Sequence, residues 1–176
     1  MLIVEGPDNA GKSTLIHQLE IAHDIRSVHA GGPPKSKEEI NTKRTVAYEN
    51  CFKRIIQDRN YFISDLVYGN VLRRAPNYEN FSILLELLST RPLIIYCRPS
   101  LEHLLKIDDH EVKAHETQEH VDAVKKNQRL IVEHYDELMK VISSKTTVIE
   151  YDFEKGFSED DLFEIREFLN KDKCFL

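Results

Sequence analysis

A glycine, four intervening residues and then Gly-Lys-Ser, from Gly6 to Ser13, constrain this chain more than any other feature. The run is entered from the apolar Leu2-Ile3-Val4 and leaves into a segment where Leu15, Ile16, Leu19 and Ala22 recur at helical spacing. Strand, glycine-rich turn and helix in that order predict a P-loop. The residue types follow from the chemistry. Gly6 and Gly11 let the backbone turn tightly, so that the N–H groups through Asn9, Ala10, Gly11, Lys12, Ser13 and Thr14 form an anion nest. The N-terminus of the following helix adds donors to the same oxygens. Lys12 reaches β- and γ-phosphates, and the Ser13 hydroxyl ligates the Mg²⁺ that bridges them. A nucleoside triphosphate is expected at this turn.

A length of 176 residues is that of one α/β domain able to bury a core. The net charge of −6 argues against a nucleic-acid or anionic-membrane surface, although a local basic cleft for phosphates remains compatible with it. Cys51, Cys97 and Cys174 are widely spaced and suit a reducing compartment. The strand and P-loop follow directly on Met1, leaving no room for a signal peptide, and no apolar run approaches membrane-spanning length. A cytoplasmic protein is expected. His110, His115 and His120 stand five apart, which does not place them on one helical face, so they read as a solvated surface rather than a zinc site.

Along the chain, strands alternate with helices. Strands are expected at Leu2 to Glu5, weakly at Ser27 to Ala30, at Pro92 to Cys97 and at Thr147 to Tyr151. Gly31-Gly32-Pro33-Pro34 forms a loop, and Ser36 with Glu39 opens a polar helix with a capping box, whose apolar face runs through Tyr48, Cys51, Phe52 and Ile55. Phe81, Leu84, Leu85 and Leu88 stripe a helix; Leu101 to Leu105 begins another. Val121, Val124, Ile131, Tyr135, Leu138 and Ile142 predict one long amphipathic helix. A last helix opens at Ser158 with Asp161 and buries Leu162, Ile165 and Leu169. Two parses compete between them: a strand at Arg54 to Asp58, or a helix through Asp58 followed by a strand at Tyr61 to Asp65. The expectation is a single domain over residues 1–176. It is a three-layer α/β P-loop NTPase fold, with an approximately five-stranded parallel sheet covered on both faces and a short lid-like segment near residues 106–120. In such a sheet the ligand sits beyond the carboxyl ends of the strands, where the P-loop, Asp58 or Asp65, Arg98 and Asp152 all fall.

The chain has no Asn-Lys-x-Asp to read guanine and no apolar run ending in paired Walker-B acids, which leaves the small kinases. Glu5 through Thr14 resembles the P-loop of thymidylate kinases, with Glu-Gly before it and an acid inside it. Asp58-Arg59, then Ser64 and Tyr68, resembles the Asp-Arg segment of the same family. The phage-encoded branch of thymidylate kinase-like deoxynucleoside monophosphate kinases is also resembled at Ile94 through Pro99 and at Asn127 through Asp136. The resemblance favours the parse that puts Asp58-Arg59 at a strand end. It implies phosphorylation of a deoxynucleoside monophosphate by ATP with Mg²⁺, and a homodimer.

Several roles are implied by that resemblance. Asp8 contacts the sugar 3′-hydroxyl, Asp58 sits with Ser13 near the Mg²⁺ shell, and Tyr68 packs where a 2′-hydroxyl would lie. Arg59 clamps the acceptor phosphate, which a guanidinium binds through two parallel bonds. Ser64, Arg44, Tyr48 and Arg73 are candidates for the acceptor pocket, with Arg73 and Arg74 equally readable as a solvated edge. Arg98 contacts phosphate or adenine in one reading and forms a structural ion pair in the other. The P-loop carries Asn9 where relatives often place arginine, and residues 99–128 hold no arginine. The transferring charge therefore falls to a lysine, or to Arg98 or Arg129 reaching in from framing helices. Gly31-Gly32-Pro33-Pro34 replaces an arginine-containing loop, which weakens thymine as the base. Two alternatives stay open. One is a deoxynucleoside kinase, which needs a carboxylate base such as Glu5 for the 5′-hydroxyl; the other is a non-enzymatic ATP-binding switch.

Overall fold

Leu2–Glu5 is buried along its whole length and forms the middle of a five-stranded sheet. The structure is a computed structural model that describes residues 1–31, 36–72, 78–106 and 117–171. In chain order its elements are β1 (Leu2–Glu5), α1 (Lys12–His23), β2 (Ser27–His29), α2 (Lys37–Asn50), β3 (Ile56–Asp58), α3 (Tyr61–Val71), α4 (Tyr78–Ser89), β4 (Leu93–Cys97), α5 (Leu101–Lys106), α6 (Gln118–Lys126), α7 (Gln128–Ser143), β5 (Val148–Tyr151) and α8 (Glu159–Lys171). The strands pair in the order β2-β3-β1-β4-β5, and every pairing is parallel. This is the α/β P-loop NTPase architecture expected from the sequence.

Alternation along the strands divides the core between the two faces. Ile3, Ile94 and Tyr96 face one cluster with Phe62, Ile63 and Val67 of α3, Leu84, Leu87 and Leu88 of α4, and Ile131 and Tyr135 of α7. Leu2, Val4, Leu93 and Ile95 face the other, with Leu15 and Leu19 of α1 and Ile165 and Leu169 of α8. A strand buried on both sides has to be apolar throughout, which is why β1 and β4 stand out in the sequence.

The ambiguous stretch follows the first parse. β3 ends at Asp58, and Asp65 lies within α3. Asn60 decides it: the buried carboxamide oxygen accepts from Phe62 N at 3.0 Å and Ile63 N at 3.3 Å, capping α3 where the competing parse needs a strand. Both helix N-termini predicted as capping boxes are capped by serine. Ser36 Oγ accepts from Glu39 N, and Ser158 exchanges bonds with Asp161 in both directions.

Four expectations are corrected. The single long helix from Val121 to Ile142 is two, broken at Asn127, which leaves helical geometry with φ −107 and ψ 14. Its carboxamide Nδ2 donates back to Ala123 O at 2.8 Å, a side-chain competitor for the backbone ladder. The α4 stripe buries Leu84, Leu87 and Leu88 but leaves Phe81 and Leu85 partly exposed. On α8 Leu162 is exposed, as are Tyr48 and Phe52 on and just after α2. Their rings pack on each other edge to face at 5.7 Å instead of entering the core. Most of the lid-like segment, residues 107–116, lies outside the described residues, as do His110, His115, Arg73 and Arg74. No described helix is long and apolar enough to cross a membrane.

Candidate active site

The loop after β1 turns through left-handed backbone at Gly6 (φ 146), Asn9 (φ 61) and Gly11 (φ 79). Gly6 is obligatory, because a Cβ there would run into the carbonyl oxygen of Cys97 at the end of β4. Asn9 tolerates the left-handed region better than most side chains, which accounts for a non-glycine at that step. Lys12, in the first turn of α1, is buried and folds back over the loop. Its Nζ donates to Gly6 O at 3.0 Å and to Pro7 O. Burial, reinforced by the like charge of Arg59, draws the Lys12 ammonium down to about 8. Ser13 and Thr14 are exposed at the helix start, available to an incoming anion and its metal.

Arg59 follows β3 and adopts φ 64, which turns the chain from the strand into capped α3 and swings the guanidinium toward the P-loop. Nη2 donates to Asp8 Oδ1 at 2.6 Å, and Nη1 donates to Tyr68 OH at 3.1 Å and Tyr135 OH at 3.4 Å. The guanidinium also lies 5.2 Å from the Tyr68 ring centroid. Tyr68 in turn donates to Asp8 Oδ2 at 3.3 Å. Burial opposes the Arg59 charge, but the oxygens of Tyr68, Asp8, Tyr135 and Glu5 more than offset it and keep the group a cation. Burial holds both phenols protonated.

Beneath this pair lies Glu5, a carboxylate with no exposed surface. Oε1 accepts from Asn60 N and from Ser64 Oγ at 3.3 Å; Oε2 accepts from Tyr135 OH at 3.1 Å and Gly6 N at 3.3 Å. Burial raises the Glu5 carboxyl above its ordinary value, against the pull of Arg59, the Asn60 N–H and Lys12. Asp58, opposite Val4 in the sheet, is bonded through Oδ2 to His29 Nδ1 at 2.8 Å. Burial pushes its carboxyl up, yet the His29 bond and the charges of His29, Lys12 and Arg59 outweigh it and hold Asp58 below the usual range.

The P-loop, Asp8, Asp58, Arg59, Ser64 and Tyr68 are thus brought to one edge of the sheet. Among the remaining candidates, Arg98 and Arg44 make their hydrogen bonds and ion pairs outside this cluster. Arg98 forms a two-pronged ion pair with Asp136, Nε to Oδ1 at 2.8 Å and Nη2 to Oδ2 at 3.0 Å, and Tyr96 OH donates to the same carboxylate. Arg44 on α2 donates to Asn80 Oδ1 at 2.9 Å and pairs with Glu79 at 3.0 Å. Arg129 is exposed in the first turn of α7. Sequence reasoning assigned no role to His29, Asn60 or Tyr135. A glutamate inside the apolar β1 was a signal that buried donors must exist for it, but nothing in the spacing pointed to a phenol 130 residues away. Among the described residues no group of three or more His, Cys, Asp or Glu side chains is arranged to hold a metal by itself. A single carboxylate and a hydroxyl do suit Mg²⁺, which keeps most of its waters and takes its other ligands from substrate phosphates. Ser13 Oγ and the Asp58 Oδ1 left free of His29 are such a pair of hard oxygen donors.

Comparison of the sequence with family models finds no match, and neither does comparison with curated proteins. Solved structures do resemble it. The YorR protein of Bacillus subtilis, in complex with phosphorylated GDP, superposes with a TM-score of 0.64 at 18% identity over 99% of this chain and 98% of its own. Thymidylate kinase from Candida albicans gives 0.55 at 15% identity, over 98% and 91%. Deoxyadenosine kinase from M. mycoides with bound dATP gives 0.52 at 16% identity, over 96% and 98%. At such identities the likeness shows the fold alone, a five-stranded parallel α/β sheet covered by helices, with the Gly6–Ser13 loop following its central strand.

Proposed function

We propose that this chain transfers the γ-phosphoryl group of ATP to the phosphate of a deoxynucleoside monophosphate. The observation that carries the reading is the placement of Arg59: a guanidinium tied to the P-loop through Asp8, at the end of the strand beside β1. An anion nest and a second cationic clamp on one sheet edge suit a reaction that brings two phosphates together. The acceptor in such a reaction is already an anion and needs no strong base; it needs cations that hold two anions in line. Thymidylate and deoxyadenosine kinases share the fold, which is compatible with this reading and with a nucleoside acceptor.

Gly6 lets the loop turn, the backbone N–H groups of Asn9, Ala10, Gly11, Ser13 and Thr14 cradle the donor phosphates, and Lys12 leaves the loop carbonyls for the β- and γ-oxygens. Arg59 orients the acceptor phosphate so that one oxygen faces the γ-phosphorus. That oxygen forms the new P–O bond as the bond to the β–γ bridging oxygen breaks, leaving ADP and a deoxynucleoside diphosphate. Ser13 and Asp58 would hold a Mg²⁺ arriving with ATP, which would supply charge neutralisation for the phosphate oxygens. Asp8 receives the sugar 3′-hydroxyl and Tyr68 packs against the deoxyribose, while Ser64 braces Glu5. Arg98 steadies the β4 end through Asp136; Arg129 and Arg73 are the remaining cations for the transferring charge, and Arg44 and Tyr48 border the acceptor side on α2.

Glu5 distinguishes this reading from a nucleoside kinase. Its two oxygens accept four hydrogen bonds and have no exposed surface, a poor disposition for a base that must reach a 5′-hydroxyl. A coupled assay comparing deoxynucleosides with their monophosphates tests it: turnover confined to the monophosphates is expected, and turnover confined to nucleosides would overturn it.

A further inference from the structure

Among the described residues Arg59 donates to three side chains, and two of them border the acceptor in the reading proposed above. Asp8 and Tyr68 are the groups assigned to the sugar, so their bonds to Arg59 have to adjust when substrate arrives. Tyr135 differs. Its side chain has no exposed surface, and its ring is stacked on Tyr96 at 5.8 Å and set edge-on to Tyr68 at 6.1 Å. A phenol has one proton to donate. Tyr135 commits it to Glu5 Oε2 at 3.1 Å, so its lone pairs face Arg59 Nη1 at 3.4 Å. Glu5 is itself fixed by Gly6 N, Asn60 N and Ser64, so the direction of the Tyr135 hydroxyl is set by the floor of the P-loop. The Tyr68 hydroxyl has no such floor: its proton goes to Asp8, a partly exposed group that substrate will claim.

We infer that Tyr135 is a positioning residue, which holds the Arg59 guanidinium in register with the P-loop from behind the acceptor pocket through its bond to Glu5. The inference rests on Arg59 being the acceptor clamp. It makes α7 part of the site without giving it a contact to substrate, and it explains a buried glutamate at the end of an apolar strand.

The test compares Tyr135→Phe with Tyr96→Phe. Both keep their rings in the stacked pair; only the first loses a hydroxyl on Arg59, since Tyr96 OH donates to Asp136. In the wild type, the Arg59 guanidinium N–H protons should be resolved and slowly exchanging in ¹⁵N-edited NMR, with a cross-peak to the Tyr135 ring. In Tyr135→Phe they should average and exchange faster, and in Tyr96→Phe they should not. With ATP and a deoxynucleoside monophosphate, Tyr135→Phe should lower kcat roughly ten-fold and raise the KM of the monophosphate, with the KM of ATP within about two-fold. Unchanged Arg59 signals in Tyr135→Phe, or equal effects of the two variants, would overturn the inference. Averaged Arg59 signals in the wild type would do so without any variant, which covers the case that Tyr135→Phe does not fold. A wild type without turnover on any monophosphate sinks the proposed reaction instead, and the Arg59 spectra still decide the role of Tyr135.

Discussion

Replacing Arg59 separates a backbone effect from a side-chain effect at one position. The residue sits at φ 64, where a Cβ costs about 1 kcal/mol that glycine avoids. Its guanidinium makes bonds of 2.6, 3.1 and 3.4 Å, one of them an ion pair. Hydrogen bonds to charged groups contribute about 1.5–3 kcal/mol each, but the Asp8 side chain is 31% exposed and rehydrates when its partner goes, so the lower figure applies. Arg59→Ala should therefore lose about 3–5 kcal/mol of stability, and Arg59→Gly should recover about 1 kcal/mol of it, a difference of roughly 2–4 °C in Tm. Turnover should not follow that order. Both variants lack the clamp, and kcat/KM for the monophosphate should fall by roughly 10²–10³-fold in each, about 3–4 kcal/mol of transition-state stabilisation. Arg59→Lys keeps the charge without the fork and should fall between them and the wild type. Calorimetry and a coupled steady-state assay on the same preparations give both numbers. Arg59→Ala within about three-fold of wild-type kcat/KM would refute the reasoning.

Lys12 gives a pH signature. Its ammonium titrates at about 8 when folded against 10.5 otherwise, so over that window the unfolded chain holds a proton the native one has released, and this group adds stability as pH rises. Donor binding runs the other way: affinity for ATP should fall about ten-fold between roughly pH 7 and pH 9, with proton uptake on binding seen as a buffer-dependent heat in titration calorimetry. Gly6→Ala combines a forbidden φ with a clash on the Cys97 carbonyl and should cost about 2–4 kcal/mol, a Tm fall of roughly 5–15 °C; an unchanged melt would contradict the loop geometry. Ser158→Ala removes the cap of α8 and should lower Tm by about 2–4 °C with no change in turnover.

Much of the fold was legible because two signals are local. A strand buried on both faces reads as an unbroken apolar run, as in β1 and β4, and a serine three residues before an acid marks a helix start at Ser36 and Ser158. The α6–α7 break was not legible, because the apolar spacing from Val121 to Ile142 continues through Asn127 and only the carboxamide geometry ends the helix. β3 is three residues long, too short for periodicity, and its end became clear only through the Asn60 cap. The site divides the same way. Gly6 and Lys12 are sequence-visible because phosphate chemistry demands those residue types in a glycine-rich turn, whereas Asp8, Asp58 and Arg59 stand out only through the resemblance to thymidylate kinases. Glu5–Tyr135 and His29–Asp58 depend on side chains brought together by the sheet and α7, and Tyr135 reads in sequence as one more apolar position on a helical stripe.

The most direct measurement is product analysis with γ-labelled ATP across the four deoxynucleoside monophosphates and their ribo counterparts. The account predicts that label appears as the β-phosphate of a deoxynucleoside diphosphate, with the ribo counterpart turned over more slowly if Tyr68 takes the 2′ position proposed for it. Label recovered only as inorganic phosphate, or only in monophosphates made from added nucleosides, would contradict it.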